Sequence, residues 1–304
     1  MDIYYHDLFS FPLPEGHRFP IRKYILLRQR LVEEGVVLQD DLHIPESARD
    51  DQLLLVHDQE YLDKVIKGGL SKVEIRQMGF PWSPDLIERS RRSVGSTIAA
   101  CRSALQSGLG VNLAGGTHHA FPDRGRGFCV FNDAAVAARV MQQEDRAGRI
   151  LIVDCDVHQG DGTAAIFEGD PTVTTFSIHG AKNYPFHKQS SDLDIALPDG
   201  TGDEAYLKAL EEGMEEILSP DLPELVIYLA GADPHRGDRL GRLSLTKAGL
   251  AERDRYVLDS CHQQHLPLAV VMSGGYGKDI QDTVDIHFET VRLAAVYARR
   301  SLSG

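Results

Sequence analysis

Two kinds of segment alternate along the chain, and that alternation constrains the fold more than any other feature. Short apolar, β-branched runs occur at Asp2–Tyr5, Val111–Ala114, Ile150–Asp154, Val173–Ile178, Leu225–Ala230 and Leu268–Met272. Between them lie longer stretches of helical character: Ile21–Glu34, Pro84–Gln106, Asp133–Gln143, Asp203–Ile217, Thr246–His265 and Thr283–Arg300. Short apolar runs bounded by Gly, Pro and Asp and separated by helices read as βαβ units. Parallel strands need long crossovers and bury both faces, so Val, Ile and Leu run almost without interruption. The expected fold class is therefore α/β, a mostly parallel sheet with helices on both faces. No repeat, low-complexity tract or Pro/Gly/Ser linker interrupts the sequence, so residues 1–304 are read as a single domain.

Composition removes several classes of function. With 45 Asp+Glu against 32 Lys+Arg, the net charge is −13. That leaves no broad basic face for a phosphate backbone, so nucleic acid is not an expected partner. The acidic balance favours neutral or cationic partners. The longest apolar stretches, such as Leu225–Ala232, fall far below the roughly 18 residues of a membrane span. MDIYYHDLFS has an early Asp and no apolar core, so no signal peptide is expected. Cys101, Cys129, Cys155 and Cys261 form no CxxC pair. Neither a disulfide framework nor a thiolate zinc site is indicated, and a cytoplasmic location is the simplest expectation. The oligomeric state is not readable from these features.

In open α/β sheets, functional loops gather beyond the carboxyl ends of the strands. Gly115-Gly116-Thr117-His118-His119 follows the second run, and Asp154-Cys155-Asp156-Val157-His158-Gln159-Gly160-Asp161-Gly162 closes the third. Gly231-Ala232-Asp233 follows the fifth, and Ser273-Gly274-Gly275-Tyr276 the sixth. Four strand ends thus deliver titratable or hydroxyl side chains between glycines.

The sharpest local motif is Asp154-x-Asp156-x-His158, because side chains at i, i+2 and i+4 of extended backbone share one face. Carboxylate oxygen with imidazole nitrogen suits a divalent metal such as Zn²⁺; the plainer alternative is a capping Asp beside a surface His. Asp233, just beyond a buried strand, is costly unless paired or metal-bound, and with Asp156 and His158 it completes a three-ligand set. Its plainer alternative is a turn cap before Pro234. His118 and His119 supply candidate bases, which Asp154 and Asp161 can each orient; two exposed loop histidines are the alternative. Tyr276 is a candidate hydrogen-bond donor to an oxyanion, or an exposed tyrosine on a turn. The aromatics of Gly127-Phe128-Cys129-Val130-Phe131 either wall a tunnel or belong to the core.

Taken in order, these motifs, with Asn132-Asp133 and Asp238, resemble the zinc-dependent histone deacetylase family from about Tyr4 to Arg300. The Ser-Gly-Gly-Tyr form and the stretch from Tyr184 to Leu207 are most similar to the class IV group and its bacterial relatives. Asp161 stands where animal class IV enzymes carry Asn. The resemblance implies an arginase-like deacetylase fold and hydrolysis of an acyl-lysine amide. Asp156, His158 and Asp233 would bind one Zn²⁺, and Asp154, Asp156, His158, Ser177 and Ile178 would surround a K⁺. His118 would pair with Asp154, and His119 with Asp161; His119 would be the general base and subsequent acid, and Tyr276 would polarise the acyl carbonyl. Gly127, Phe128, Gly274 and Gly275 would line the substrate tunnel, with Tyr184 or Phe186 on its opposite wall.

Three rival readings stay open at this stage. One is a two-manganese ureohydrolase of the same fold. Another is a deacetylase of acetylpolyamines or other small amides. The third is an acyl-lysine-binding protein without turnover. The partner is thus an acylated lysine in a protein or peptide, or an acylated small amine.

Overall fold

The computed structural model describes residues 1–219 and 221–301. Eight strands form one sheet: β1 (Asp2–Tyr4), β2 (Leu42–His43), β3 (Leu109–Asn112), β4 (Ile150–Asp154), β5 (Val173–Gly180), β6 (Leu193–Leu197), β7 (Leu225–Leu229) and β8 (Leu268–Val271). Their order is β2-β1-β3-β8-β7-β4-β5-β6, and every pairing is parallel. Every residue of β3, β4, β7 and β8 is buried. This is why those strands are apolar at consecutive positions rather than alternate ones.

Among the described residues ten α-helices surround the sheet: α1 (Lys23–Glu33), α2 (Asp50–Leu53), α3 (Gln59–Lys67), α4 (Lys72–Met78), α5 (Pro84–Ser107), α6 (Asp133–Gln143), α7 (Asp161–Phe167), α8 (Asp203–Ile217), α9 (Lys247–Gln263) and α10 (Ile280–Ser301). In one layer α5 packs on β3 and β8 and against α6, which meets α7; in the other, α1, α10, α9 and α8 pack in series. Helix α5 starts at a Ser83 cap whose Oγ accepts from the Leu86 N–H at 3.1 Å, has Pro84 in its first turn, and stops at Gly108 with φ 86°. It lies so close to β3 that a Cβ on Gly110 would fall 2.2 Å from the Ala100 carbonyl oxygen.

The α/β parallel fold expected from the sequence is the one observed. The differences lie at its edges. β2 and β6 close the two ends of the sheet, and neither reads as a strand. β2 has only two residues, and β6 alternates half-buried and exposed positions. Helices α2 to α4 fill the stretch between the first two apolar runs, and α7 begins directly in the Gly160-Asp161-Gly162 turn.

His57, between α2 and α3, ties this region to the segment between β3 and α6. Its Nδ1–H donates to the Phe121 carbonyl at 3.0 Å, and Nε2 accepts from the Asn132 N–H at 3.0 Å. Asn132 in turn caps α6. Burial pushes the His57 imidazole down to about 4. An unfolded imidazole titrates near 6.5, so between those values the unfolded chain binds the extra proton. Stability is then lost as pH falls through that window, by up to about 1.4 kcal/mol per pH unit. Urea unfolding at pH 7 and pH 4.5 should show a smaller loss for His57→Gln than for wild type; equal losses would remove His57 from the acid response.

Candidate active site

The loops that carry the candidate residues follow β3, β8, β7 and β4, and these four strands are consecutive neighbours at the centre of the sheet. Their carboxyl ends therefore open onto one place. After β3 the chain turns at Gly115 and Gly116, with φ 79° and 75°. Asp133, fully buried at the start of α6, fixes this turn. Its carboxylate accepts from the Gly116 N–H at 3.0 Å, the Thr117 N–H at 2.6 Å and the Thr97 hydroxyl at 2.6 Å. The turn delivers His118 and His119 with ring centroids 4.1 Å apart.

Each imidazole is held by its own carboxylate. His118 Nδ1 lies 2.6 Å from Asp154 Oδ2, and His119 Nδ1 lies 2.6 Å from Asp161 Oδ1. The two rings differ electrically. Burial opposes protonation of His118, but Asp154 and Asp156 outweigh it and lift the group to about 9. Burial and the neighbouring His118 cation hold His119 down at about 4, against the pull of Asp161. The surroundings thus push the two rings in opposite directions, and with Nδ1 of His119 held by Asp161 its Nε2 is left to face the cleft.

Asp156, His158 and Asp233 form the one cluster among the described residues with three metal-ligating groups, their donor atoms all within 4.8 Å of one another and all three buried. β4 and β7 are register neighbours, so the loops after them place the two carboxylates together. His158 Nδ1 lies 2.9 Å from Asp156 Oδ1 and 3.2 Å from Asp233 Oδ2. Asp233 Oδ2 is buried and, apart from this contact with His158, has no hydrogen-bonded partner, an unusual cost for a carboxylate oxygen. Its second oxygen accepts from the Val157 N–H at 2.9 Å. Burial and the charge of Asp156 push Asp233 upward, and the two carboxylates hold His158 well above an ordinary histidine. A divalent cation answers each of these costs, and the residues fit one: two carboxylates and one imidazole, with room for an exogenous ligand.

Gly274 makes space for the cluster. A Cβ there would fall 2.0 Å from Asp233 Oδ2 and 2.5 Å from Asp156 Oδ2. Instead its N–H donates to Asp156 Oδ2 at 2.7 Å, beside the Ser273 hydroxyl at 2.8 Å. Ser273 has φ 54°, and Phe128 across the cleft has φ 67°; such strain persists where the surroundings dictate it. Part of that surrounding is Lys23, a fully buried lysine at the start of α1 whose Nζ donates to the Ser273 carbonyl at 2.9 Å. Arg253 of α9, also fully buried, holds the Gly231 carbonyl at 2.5 Å. Asp238 accepts from the Tyr276 N–H at 2.6 Å. Lys23 and Arg253 carry no local motif, and only their complete burial identifies them.

A cleft of about 850 Å³ leads down to His119, His158 and Tyr276, with Gly127, Phe128, Tyr184 and Phe186 among its walls. The Tyr184 and His119 ring centroids are 4.8 Å apart, and those of Phe128 and Tyr276 are 5.8 Å apart. A second cavity of about 30 Å³ lies at the cluster itself, bordered by Asp156, His158, His119 and Tyr276 together with Gly116, Cys129 and Gly274. Gly275 lines neither space; the place of its missing Cβ faces Thr283 and Ala232. Ser177 sits opposite Asp154 in the β4–β5 register, with Ile178 buried next to it.

Residues 17–291 match the family model described as a histone deacetylase domain, and the chain belongs to that family. It is therefore a deacetylase in general terms, a hydrolase acting on acetylated substrates. An uncharacterized protein of Picosynechococcus is 48% identical over 94% of this chain and 95% of its own length. Histone deacetylase 2 of Arabidopsis thaliana is 30% identical over 90% of this chain and 73% of its own. The acetoin utilization protein AcuC of Bacillus subtilis is 30% identical over 91% of this chain and 77% of its own. The fold matches the crystal structure of an HDAC homolog complexed with SAHA, with TM-score 0.83 and 22% identity over 99% of this chain and 87% of that one.

The crowding at Gly274 gives a direct expectation. Gly274→Ala should keep the fold by circular dichroism yet bind a divalent cation about 10–100-fold more weakly, the usual cost of disturbing groups that orient ligands. Unchanged affinity in a chelator competition would show that the two carboxylates are not the ligands.

Proposed function

We propose that the protein is a zinc-dependent amidohydrolase that removes an acyl group from the ε-amine of lysine in a protein or peptide, residues 1–304 acting as one catalytic domain. What supports this most is that a metal-fitting cluster, an oriented neutral imidazole and a phenol meet at the floor of one cleft. Asp156, His158 and Asp233 would hold the Zn²⁺. When bound, the metal would supply Lewis acidity toward the acyl carbonyl and a more acidic water. A K⁺ is assigned beside Asp154, Asp156, His158, Ser177 and Ile178, where β4 and β5 run in register.

The chain's own groups account for the proton movements. Asp161 fixes His119 through Nδ1, which leaves Nε2 to take the proton from the attacking water. His118, kept protonated beside Asp154, can return a proton to the departing amine. Tyr276 donates its O–H to the oxygen that becomes negative; the charges of Asp156 and Asp233 and burial raise its phenol far above the usual value, so it stays a donor at neutral pH. Phe128 and Tyr184 wall the approach and suit an acylated side chain, which carries no charge. The space of about 30 Å³ among Asp156, His158, His119 and Tyr276 is small, and acetyl is the assigned acyl group. A reducing, cytoplasmic setting agrees with four buried, unpaired cysteines. Among the described residues no helix is long and apolar enough to cross a membrane.

Loss of one oxyanion donor typically costs roughly 100–1000-fold. Tyr276→Phe should lose at least about 100-fold in kcat on an acetyl-lysine peptide while retaining its metal; near-wild-type turnover would remove Tyr276 from the reaction. A series of fluorogenic lysine peptides of rising acyl length should show acetyl turned over fastest. Faster removal of a long acyl chain would reject the acetyl assignment.

A further inference from the structure

The mouth of the cleft carries the opposite sign of charge to the chain as a whole. Arg18, Arg76, Lys182 and Arg242 line it, and no Asp or Glu does. They come from four separate places: the loop before α1, helix α4, the loop after β5 and the loop after β7. All four are exposed. Arg242 pairs with Asp199 at 3.2 Å across an exposed contact, whereas the side chains of Arg18, Arg76 and Lys182 have no ion-pair or hydrogen-bond partner among the described residues. Elsewhere some exposed cations are matched within their own helix or turn, as in Arg49–Asp51, Lys64–Glu60 and Lys67–Asp63, while the side chains of Arg22, Lys72, Arg236 and Lys278 are exposed without such a partner among the described residues. Acids outnumber bases 45 to 32, so an opening lined by four cations and no acid departs from the composition of the chain.

The floor of the cleft does not explain them. It is walled by aromatic rings that suit a neutral acylated side chain, and the buried charges at its end are already assigned. The negative charge that complements the rim must therefore sit on the part of the substrate that stays outside, the carrier of the acylated amine. Phe186, 83% exposed at this mouth, and Ile75 and Pro81 beside it offer apolar surface to neighbouring side chains of a peptide. At physiological salt, fields fade over about 8 Å, so the rim rather than the distant acidic surface determines what a docked segment meets.

Building on the lysine deacylase reading above, we infer that the substrate is an acyl-lysine set in an acidic peptide segment, with Asp or Glu within a few residues of the lysine meeting Arg18, Arg76, Lys182 and Arg242. An extended chain advances about 3.3 Å per residue, so residues flanking the lysine emerge over the rim as the acyl-lysine descends. The same ring disfavours an acylated polyamine, whose remaining ammonium groups would face it. Net composition pointed toward cationic partners; the local distribution of charge reverses that expectation.

The test uses three labelled nonapeptides with a central acetyl-lysine flanked by Asp/Glu, by Ser/Gly or by Lys/Arg. Binding is read by fluorescence anisotropy, and turnover is followed separately with the metal-loaded enzyme. Exposed ion pairs are individually weak, so their combined effect is about 10-fold, carried mainly by Kd and KM. The acidic peptide should bind about 10-fold more tightly than the neutral one and the basic peptide more weakly, with the spread collapsing at high salt. In the variant carrying Arg18→Glu, Arg76→Glu and Lys182→Glu the order should invert; these side chains are exposed, and single Gln substitutions at each position should give partial effects. Equal binding of the three peptides, or a preference that survives in the triple variant, overturns the inference. An oligothymidylate that displaces the acidic peptide at equal charge overturns the assignment to a peptide. The expected binding order without hydrolysis of any peptide upholds the rim inference and rejects the deacylase reading instead.

Discussion

Two buried carboxylates pose the central physical problem of this structure. Asp156 and Asp233 leave adjacent central strands and end within 4.8 Å of the same imidazole, with no access to bulk water. Placing such charges in a protein interior costs several kcal/mol each unless they are paired or bound to metal. Much of the surrounding architecture answers that cost. Gly274 and Ser273 give hydrogen bonds to Asp156, Val157 gives one to Asp233, and the buried Lys23 adds positive charge from the far side of the loop. One oxygen of Asp233 faces His158 at 3.2 Å yet accepts no hydrogen bond, and a divalent cation is the group whose chemistry completes the set.

The fold serves this arrangement through its strand order. A parallel sheet presents all its carboxyl ends on one side, and the order β3-β8-β7-β4 brings four functional loops side by side. The loops are fixed from behind by buried polar groups: Asp133 for the histidine turn, Lys23 and Asp238 for Ser273 and Tyr276 of the loop after β8, and Arg253 for Gly231 after β7 and Cys155 after β4. The reacting side chains are thus held on short loops between rigid strands. Their geometry is set before any substrate arrives.

How much of this was legible in the sequence follows the range of the interactions. β4 and β7 are unmistakable because burial on both faces demands consecutive apolar residues, and their ends led directly to Asp156, His158 and Asp233. The strand-end rule also offered His118, His119 and Tyr276 as candidates for the same site, and the family resemblance supplied their individual roles. β2 and β6 escaped because edge strands are short or half-solvated and carry no such signature. Lys23 and Arg253 escaped because their partners lie far away in sequence, so nothing local separates them from surface lysines and arginines. The charge of the rim escaped for a related reason: a net value averages over the surface, while a ligand meets only the few side chains at one opening.

Metal content tests the central claim most directly. Purified chain reconstituted with Zn²⁺, freed of loose metal by dialysis and measured by elemental analysis, should hold one equivalent that Asp233→Asn and His158→Ala each fail to retain. Two equivalents per chain, or a single equivalent that persists when Asp233 and His158 are replaced, would contradict the proposal that these buried groups exist to bind one catalytic cation.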